Sequence, residues 1–185
     1  LISPNEYLMK EGNIVVYQDV RGRWMSEGRY DNMRAIIPKK SGNEFDESSD
    51  TYDTIEWLIE NVDNNNGRVG TWGISYPGHY AVASLVDAHP ALKASSPQAG
   101  IGDFFFDDFH HNGAYLLSYW RATALFGYDK TSPTTEAWYE LPGLGTQDQY
   151  QFFLDVGPLS NLDEYYGEYN IFWQQLKEHP NYDEF

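Results

Sequence analysis

Cysteine is absent from the 185-residue sequence, which excludes a disulfide framework, a thiol nucleophile and a thiolate metal site. That absence leaves the compartment open between a periplasmic or secreted setting and the cytoplasm. No apolar run approaches the ~20 residues of a membrane span, and no basic start with an apolar core opens the chain. Basic charge is also scarce: 12 Lys and Arg stand against 28 Asp and Glu, a formal net charge of −16. Phosphate neutralisation needs a basic face, so a nucleic-acid partner is excluded. The acidic residues are spread along the chain, as a solvated surface requires, and steering of a cationic substrate is the alternative reading.

What is abundant is aromatic: Phe, Trp and Tyr make up 17% of the residues, enough for large buried or cleft-lining surfaces in one domain with a sizeable core. The chain opens at Leu1-Ile2-Ser3-Pro4 and stops at Asp183-Glu184-Phe185, and it is read as a piece of a longer one. There are no internal repeats or low-complexity tracts.

The most informative segment is Gly73-Ile74-Ser75-Tyr76-Pro77-Gly78. It follows a short strand predicted over Arg68–Trp72 and precedes an apolar-periodic helix, Tyr80–Asp87, with Ala81, Val82, Leu85 and Val86 on one face. A serine on a sharp strand-to-helix turn is lifted out of the backbone surface and aimed at a base. Pro77 suits a first helical position and biases Tyr76 away from the helical region, which leaves the Tyr76 N–H to meet a developing oxyanion. The other reading of the same six residues is a serine N-cap on an ordinary turn.

Elsewhere, Asn13–Gln18 reads as a buried strand feeding the charged turn Asp19-Val20-Arg21-Gly22-Arg23, in which Arg–Asp pairing shapes the loop. Tyr52, Ile55, Leu58, Ile59 and Val62 fall at helical spacing, with Ser49 or Asp50 as N-cap and Asn64-Asn65-Asn66-Gly67 as stop. A further strand covers Leu92–Pro97. Strands alternating with helices imply an α/β architecture with a parallel sheet, whose ligands collect at the carboxyl ends of its strands. Residues 1–112 form this partial core, and residues 113–185, with helical patches at Thr146–Leu154 and Asn170–Glu178, a partial helical cap.

Gly102–Asn112 gathers Asp103, Asp107, Asp108, His110 and His111 among four phenylalanines just past a strand end. Aromatic walls bind an apolar group, and a partly dry carboxylate pairs with an ammonium. Adjacent histidines on a helix point about 100° apart, and no H-E-x-x-H or facial-triad spacing appears, so no metal is assigned. Capping a helix or holding the loop is the alternative role. His79 and His89 are read as structural residues flanking the post-serine helix.

The pieces Gln18–Arg23 with Ser26-Glu27-Gly28, Gly73–Gly78, Asp87–Lys93 and Asp107-Asp108-Phe109 resemble the serine hydrolases grouped with cocaine esterase, α-amino acid ester hydrolases and X-prolyl dipeptidyl aminopeptidases. The resemblance implies an α/β-hydrolase fold with a helical cap, no metal or organic cofactor, and Ser75 as the residue that forms the acyl-enzyme. It implies Tyr76 N–H as one oxyanion donor and Asp108 as part of a carboxylate cluster holding a substrate ammonium. A second oxyanion donor, a tyrosine hydroxyl upstream of the charged turn, and the acid and histidine beyond the cap have no counterpart to assign in this sequence. The substrate expected is a small ester or amide, α-amino acid esters and β-lactam-type acyl compounds included, or a short X-Pro peptide; the chain alone is expected to be inactive. A non-catalytic hydrolase-like binding module and a homo-oligomer are the alternatives carried forward.

Overall fold

The computed structural model of the chain describes residues 6–31, 34–37, 40–102, 110–112, 114–117, 130, 132–136, 148–158, 161 and 164. Along them run α1 (Glu6–Lys10), α2 (Glu47–Asn61), β1 (Val69–Ile74), α3 (Tyr76–Ala83) and β2 (Leu92–Gln98). The two-residue strands β3 (His110–His111) and β4 (Ala114–Tyr115) and the helix α4 (Gln149–Val156) follow.

β1 and β2 pair in parallel, with Thr71 opposite Ser95 and Ile74 opposite Gln98. Parallel strands need a crossover, and α3 supplies it. It packs against both strands, and α2 packs on α3. β1 alternates accordingly: Val69, Thr71 and Gly73 are covered while Gly70, Trp72 and Ile74 are exposed. The polar middle of β2 has a use under α3. Thr71 Oγ1 donates to Ser95 Oγ at 2.8 Å, and the hydroxyls of Ser95 and Ser84 both donate to the Ala81 carbonyl, at 2.9 and 2.7 Å. Hydroxyls buried this way are satisfied and tie sheet to helix.

α2 begins earlier than its apolar spacing suggests. Its N-cap is Asp46, not Ser49 or Asp50; Ser49 sits at the third helical position and completes a capping box, with Ser49 N–H on Asp46 Oδ1 at 2.9 Å and Asp46 N–H on Ser49 Oγ at 2.8 Å. The stop is where the asparagines place it, with Asn65 Nδ2 donating to the Ile59 carbonyl at 3.0 Å. Ile55, 2% exposed, is the core residue of the helix.

Three expectations are corrected. Asn13–Gln18 forms no strand, and Ile14, Val16 and Tyr17 are 50%, 48% and 68% exposed, because no described neighbour offers this β-branched run a ladder. The post-serine helix occupies Tyr76–Ala83, with Tyr76, Gly78, His79, Ala81 and Ala83 buried and Leu85 outside it and exposed. The fixed φ of Pro77 near the helix start outweighs its bias on the preceding residue, so Tyr76 is helical. α4 confirms the first of the two later helical patches, shifted to Gln149–Val156 under an Asp148 cap; Asn170–Glu178 lies outside the described residues.

Asp46 joins these parts. It is fully buried, receives the Ile37 N–H at 2.8 Å, and pairs with Lys40 Nζ at 2.9 Å. Burial pushes its carboxyl up, but the Ile37 and Ser49 N–H groups and Lys40 together hold it below the ordinary value. Asp46→Ala should destabilise the protein by about 3 kcal/mol or more, since a cap is lost and Lys40 is left without its buried partner. Asp46→Asn, which keeps an acceptor, should cost roughly half as much by urea denaturation.

Candidate active site

β1 delivers the chain to Ser75, whose backbone takes φ 62° and ψ −123° before α3 begins. A non-glycine residue held there costs about 1–3 kcal/mol, so its surroundings must fix it from several sides. They do. Ser75 N–H donates to the Gln98 carbonyl at the end of β2 at 2.9 Å, and His79 N–H closes the first turn on the Ser75 carbonyl at 3.1 Å.

Two glycines let backbones meet around the serine. A Cβ on Gly73 would lie 2.0 Å from the Pro77 carbonyl oxygen, and one on Gly78 would lie 2.5 Å from the Gln98 oxygen and 3.1 Å from Gly100 Cα. The sequence pattern G-x-S-Y-P-G therefore records two steric contacts, one with the turn itself and one with the neighbouring strand end. Ser75 is exposed and its side chain makes no capping hydrogen bond. Ser75 thus occupies the N-cap position of α3 without using its hydroxyl to cap, and that hydroxyl is exposed on a strained turn. Tyr76 opens α3, so its N–H belongs to the helix end that carries partial positive charge.

The Tyr76 side chain turns inward. Its hydroxyl accepts from Tyr30 Oη at 2.6 Å, and its ring lies against Tyr80 and His79, centroids 5.1 and 6.2 Å away. Tyr30 comes from the segment after the charged turn, with the Arg23 guanidinium 4.5 Å from its ring centroid. Burial pushes the Tyr30 phenol up to about 12 and the Tyr80 phenol well above its ordinary value, so both stay protonated. Tyr30 is the residue sequence reasoning missed; the one available signal is an aromatic two places beyond Ser26-Glu27-Gly28.

The charged turn is built differently from expectation. Asp19 does not serve as an arginine partner in shaping the loop: its carboxylate accepts the Met25 N–H at 3.2 Å and its carbonyl accepts the Ser26 hydroxyl. Arg21 reaches out of the loop to Asp50 on α2, with Nε on Oδ2 at 2.8 Å, a bond that raises the guanidinium further.

Among the histidines, His79 is fully buried, and its Nδ1 lies 3.0 Å from the Ile101 carbonyl, to which a protonated Nδ1 donates. His89 Nδ1 accepts the Ala91 N–H at 3.0 Å, which leaves Nε2–H to donate to Glu56 at 2.7 Å. Both therefore act as braces. His110 and His111 lie on a strand, not a helix, so one is buried and the other exposed. Asp108 and the rest of Asp103–Phe109 lie outside the described residues. Among the described residues no three His, Asp or Glu side chains converge as a metal-binding group.

Two groups, the buried His79 and the half-buried Glu47, titrate in opposite senses. Burial drives His79 down from 6.5 to about 4. Burial raises Glu47, whose Oε2 has no hydrogen-bond partner, from 4.5 to about 7 despite Arg34, with Asp50 and Asp46 adding to the rise. Between about pH 4 and 6.5 the unfolded chain takes up the His79 proton, so that contribution to stability is complete above 6.5 and lost as pH falls through 4. Between 4.5 and about 7 the folded chain keeps the Glu47 proton, so that contribution is complete below 4.5 and lost as pH rises through 7. Each is on the order of 3 kcal/mol. Relative to the parent, Glu47→Gln should gain stability toward pH 8 and His79→Leu should gain it toward pH 4 in melting curves across this range; equal slopes for the two variants would contradict the assignment.

The sequence profile of the X-Pro dipeptidyl-peptidase (S15) family matches residues 2–185. The chain is 30% identical over 108 residues to the cocaine esterase of Rhodococcus sp. (strain MB1 Bresler), covering 58% of this chain and 17% of that esterase. Among solved structures it is similar to an α-amino acid ester hydrolase, with TM-score 0.75 and 32% identity over 96% of this chain and 28% of the other. It is also similar to an aminopeptidase from a marine sediment archaeon, Thaumarchaeota archaeon, with TM-score 0.69 and 33% identity over 89% and 26%. The chain thus spans about a quarter of these solved relatives. With a parallel β-α-β unit turning on a strained serine and a family match over nearly its whole length, the chain belongs to the X-Pro dipeptidyl-peptidase (S15) family and has its α/β-hydrolase fold.

Proposed function

We propose that this chain is the nucleophile-bearing part of a serine hydrolase that cleaves ester or amide acyl bonds through an acyl-enzyme on Ser75. The observation that carries the reading is a serine kept at φ 62° whose hydroxyl does no capping work. A non-catalytic binding module has no need of that strain. In the first step Ser75 Oγ attacks the acyl carbonyl while a base takes its proton, and the oxyanion forms against the Tyr76 N–H. The leaving alcohol or amine then departs with that proton. Water deacylates the serine by the same path.

His79 and His89 are engaged as braces, so neither is assigned as the base; on this reading the base and its acid partner come from outside these 185 residues, as the family resemblance implies. The division into a core at 1–112 and a cap at 113–185 belongs to the same proposal. A substrate with a free α-ammonium fits best, with Asp108 as one of its partners. The names of the two solved relatives, an α-amino acid ester hydrolase and an aminopeptidase, both denote substrates with that group. Release of X-Pro dipeptides is the second reading, favoured by the family match over residues 2–185.

In the full-length protein a fluorophosphonate should label Ser75, and Ser75→Ala should lower kcat by several orders of magnitude while leaving the residue due to binding and oxyanion stabilisation. Adduct mapping by mass spectrometry decides it; labelling at another serine would refute the assignment. Asp108→Asn should weaken turnover of α-amino esters by about 2–4 kcal/mol more than that of their des-amino analogues, because the ammonium loses a charged partner. Equal losses on the two substrates would assign Asp108 a structural role.

A further inference from the structure

We propose that Tyr30 is a positioning residue for catalysis, holding the Ser75–Tyr76 peptide in place through its hydrogen bond to the Tyr76 hydroxyl. The inference rests on the acyl-hydrolase reading and names a residue that reading does not use. Tyr30 and Tyr76 are 4% and 7% exposed, and their hydroxyls meet at 2.6 Å although the residues stand 46 apart in sequence.

The strained peptide needs support on both sides. On the strand side Ser75 N–H is held by Gln98 and the Ser75 carbonyl by His79 N–H. On the helix side the Tyr76 ring is clamped between Tyr80 and the Tyr30 hydroxyl. Tyr30 is itself fixed. The backbone of Gly22 approaches so closely that a Cβ there would lie 2.1 Å from Tyr30 N, and Arg23 sits over the Tyr30 ring at 4.5 Å. The turn carrying Arg21-Gly22-Arg23 is braced in turn by the Arg21–Asp50 pair on α2. A continuous set of contacts thus runs from α2 through the charged turn to the residue beside the nucleophile.

The consequence falls on the transition state. An oxyanion donor acts by being aimed, before reaction, at where charge develops, and a small reorientation costs more there than in the bound ground state. Tyr30→Phe keeps the ring and its stacking and removes the donor. It should lower kcat and the rate of Ser75 phosphonylation by a fluorophosphonate about tenfold each, with KM within about twofold. Tyr76→Phe, which removes the acceptor of the same bond, should lower both rates as well. Both hydroxyls also meet that of Tyr80, so the double variant should lose less than the product of the two single losses, because the Tyr30–Tyr76 bond is counted in each.

The measurements are made on the full-length protein, with Ser75→Ala as the reference and melting curves for each variant. A lowered Tm with both rates unchanged would make the bond purely structural and overturn the proposal, as would losses that multiply in the double variant. If Tyr30→Phe does not fold, unchanged rates in Tyr76→Phe still refute it. If the parent is not labelled at Ser75, the acyl-hydrolase reading itself is what has failed.

Discussion

The 2.9 Å hydrogen bond from Ser75 N–H to the Gln98 carbonyl holds the ends of two parallel strands together at a residue whose φ is 62°. Most of the site follows from keeping that bond. The turn must be tight enough for Gly73 to meet Pro77, and α3 must lie close enough to β2 for Gly78 to meet Gln98 and Gly100. Any side chain at either glycine would open the angle between strand and helix. The strain is thereby stored where it presents a hydroxyl outward, and the neighbouring backbone supplies what holds it there.

The interior around this turn is polar by the standards of a small core, and it holds several sets of polar groups that satisfy one another. The Ser84 and Ser95 hydroxyls share the Ala81 carbonyl and both meet Thr71 Oγ1, Asp46 gathers two N–H groups and Lys40, and Tyr30 and Tyr76 bond one another. Such networks add modestly to stability but penalise every alternative arrangement that would break them. Glu47 departs from the rule with its unpartnered Oε2, and it resolves the conflict by holding a proton to about pH 7. The formal charge of −16 acts on a different scale, through the surface, in solubility and long-range attraction of cations.

Local rules read several elements well. The asparagines after α2, the glycine-proline punctuation around Ser75 and the short extended stretches of β1 and β2 each act within a few residues, and the structure has the corresponding helix stop, elbow and parallel pair. The same rules misplaced the start of α2, because Ser49 and Asp46 both have capping chemistry and burial of Asp46 against Ile37 and Lys40 decides between them. They also made Asn13–Gln18 a buried strand. Its composition suits a sheet, but a strand exists only when another backbone pairs with it.

By itself, then, the sequence determined the serine turn, its glycine and proline frame, the alternation of strand and helix, and the absence of thiol chemistry and of a basic face. Tertiary structure alone decided that the Ser75 hydroxyl is not a cap, that Arg21 pairs with Asp50, and that Tyr30 reaches Tyr76 across 46 residues. The reason is the range of the forces involved. Backbone sterics and capping are settled between near neighbours in the chain, whereas the partner of a buried hydroxyl or guanidinium is whichever distant residue packing brings within 3 Å.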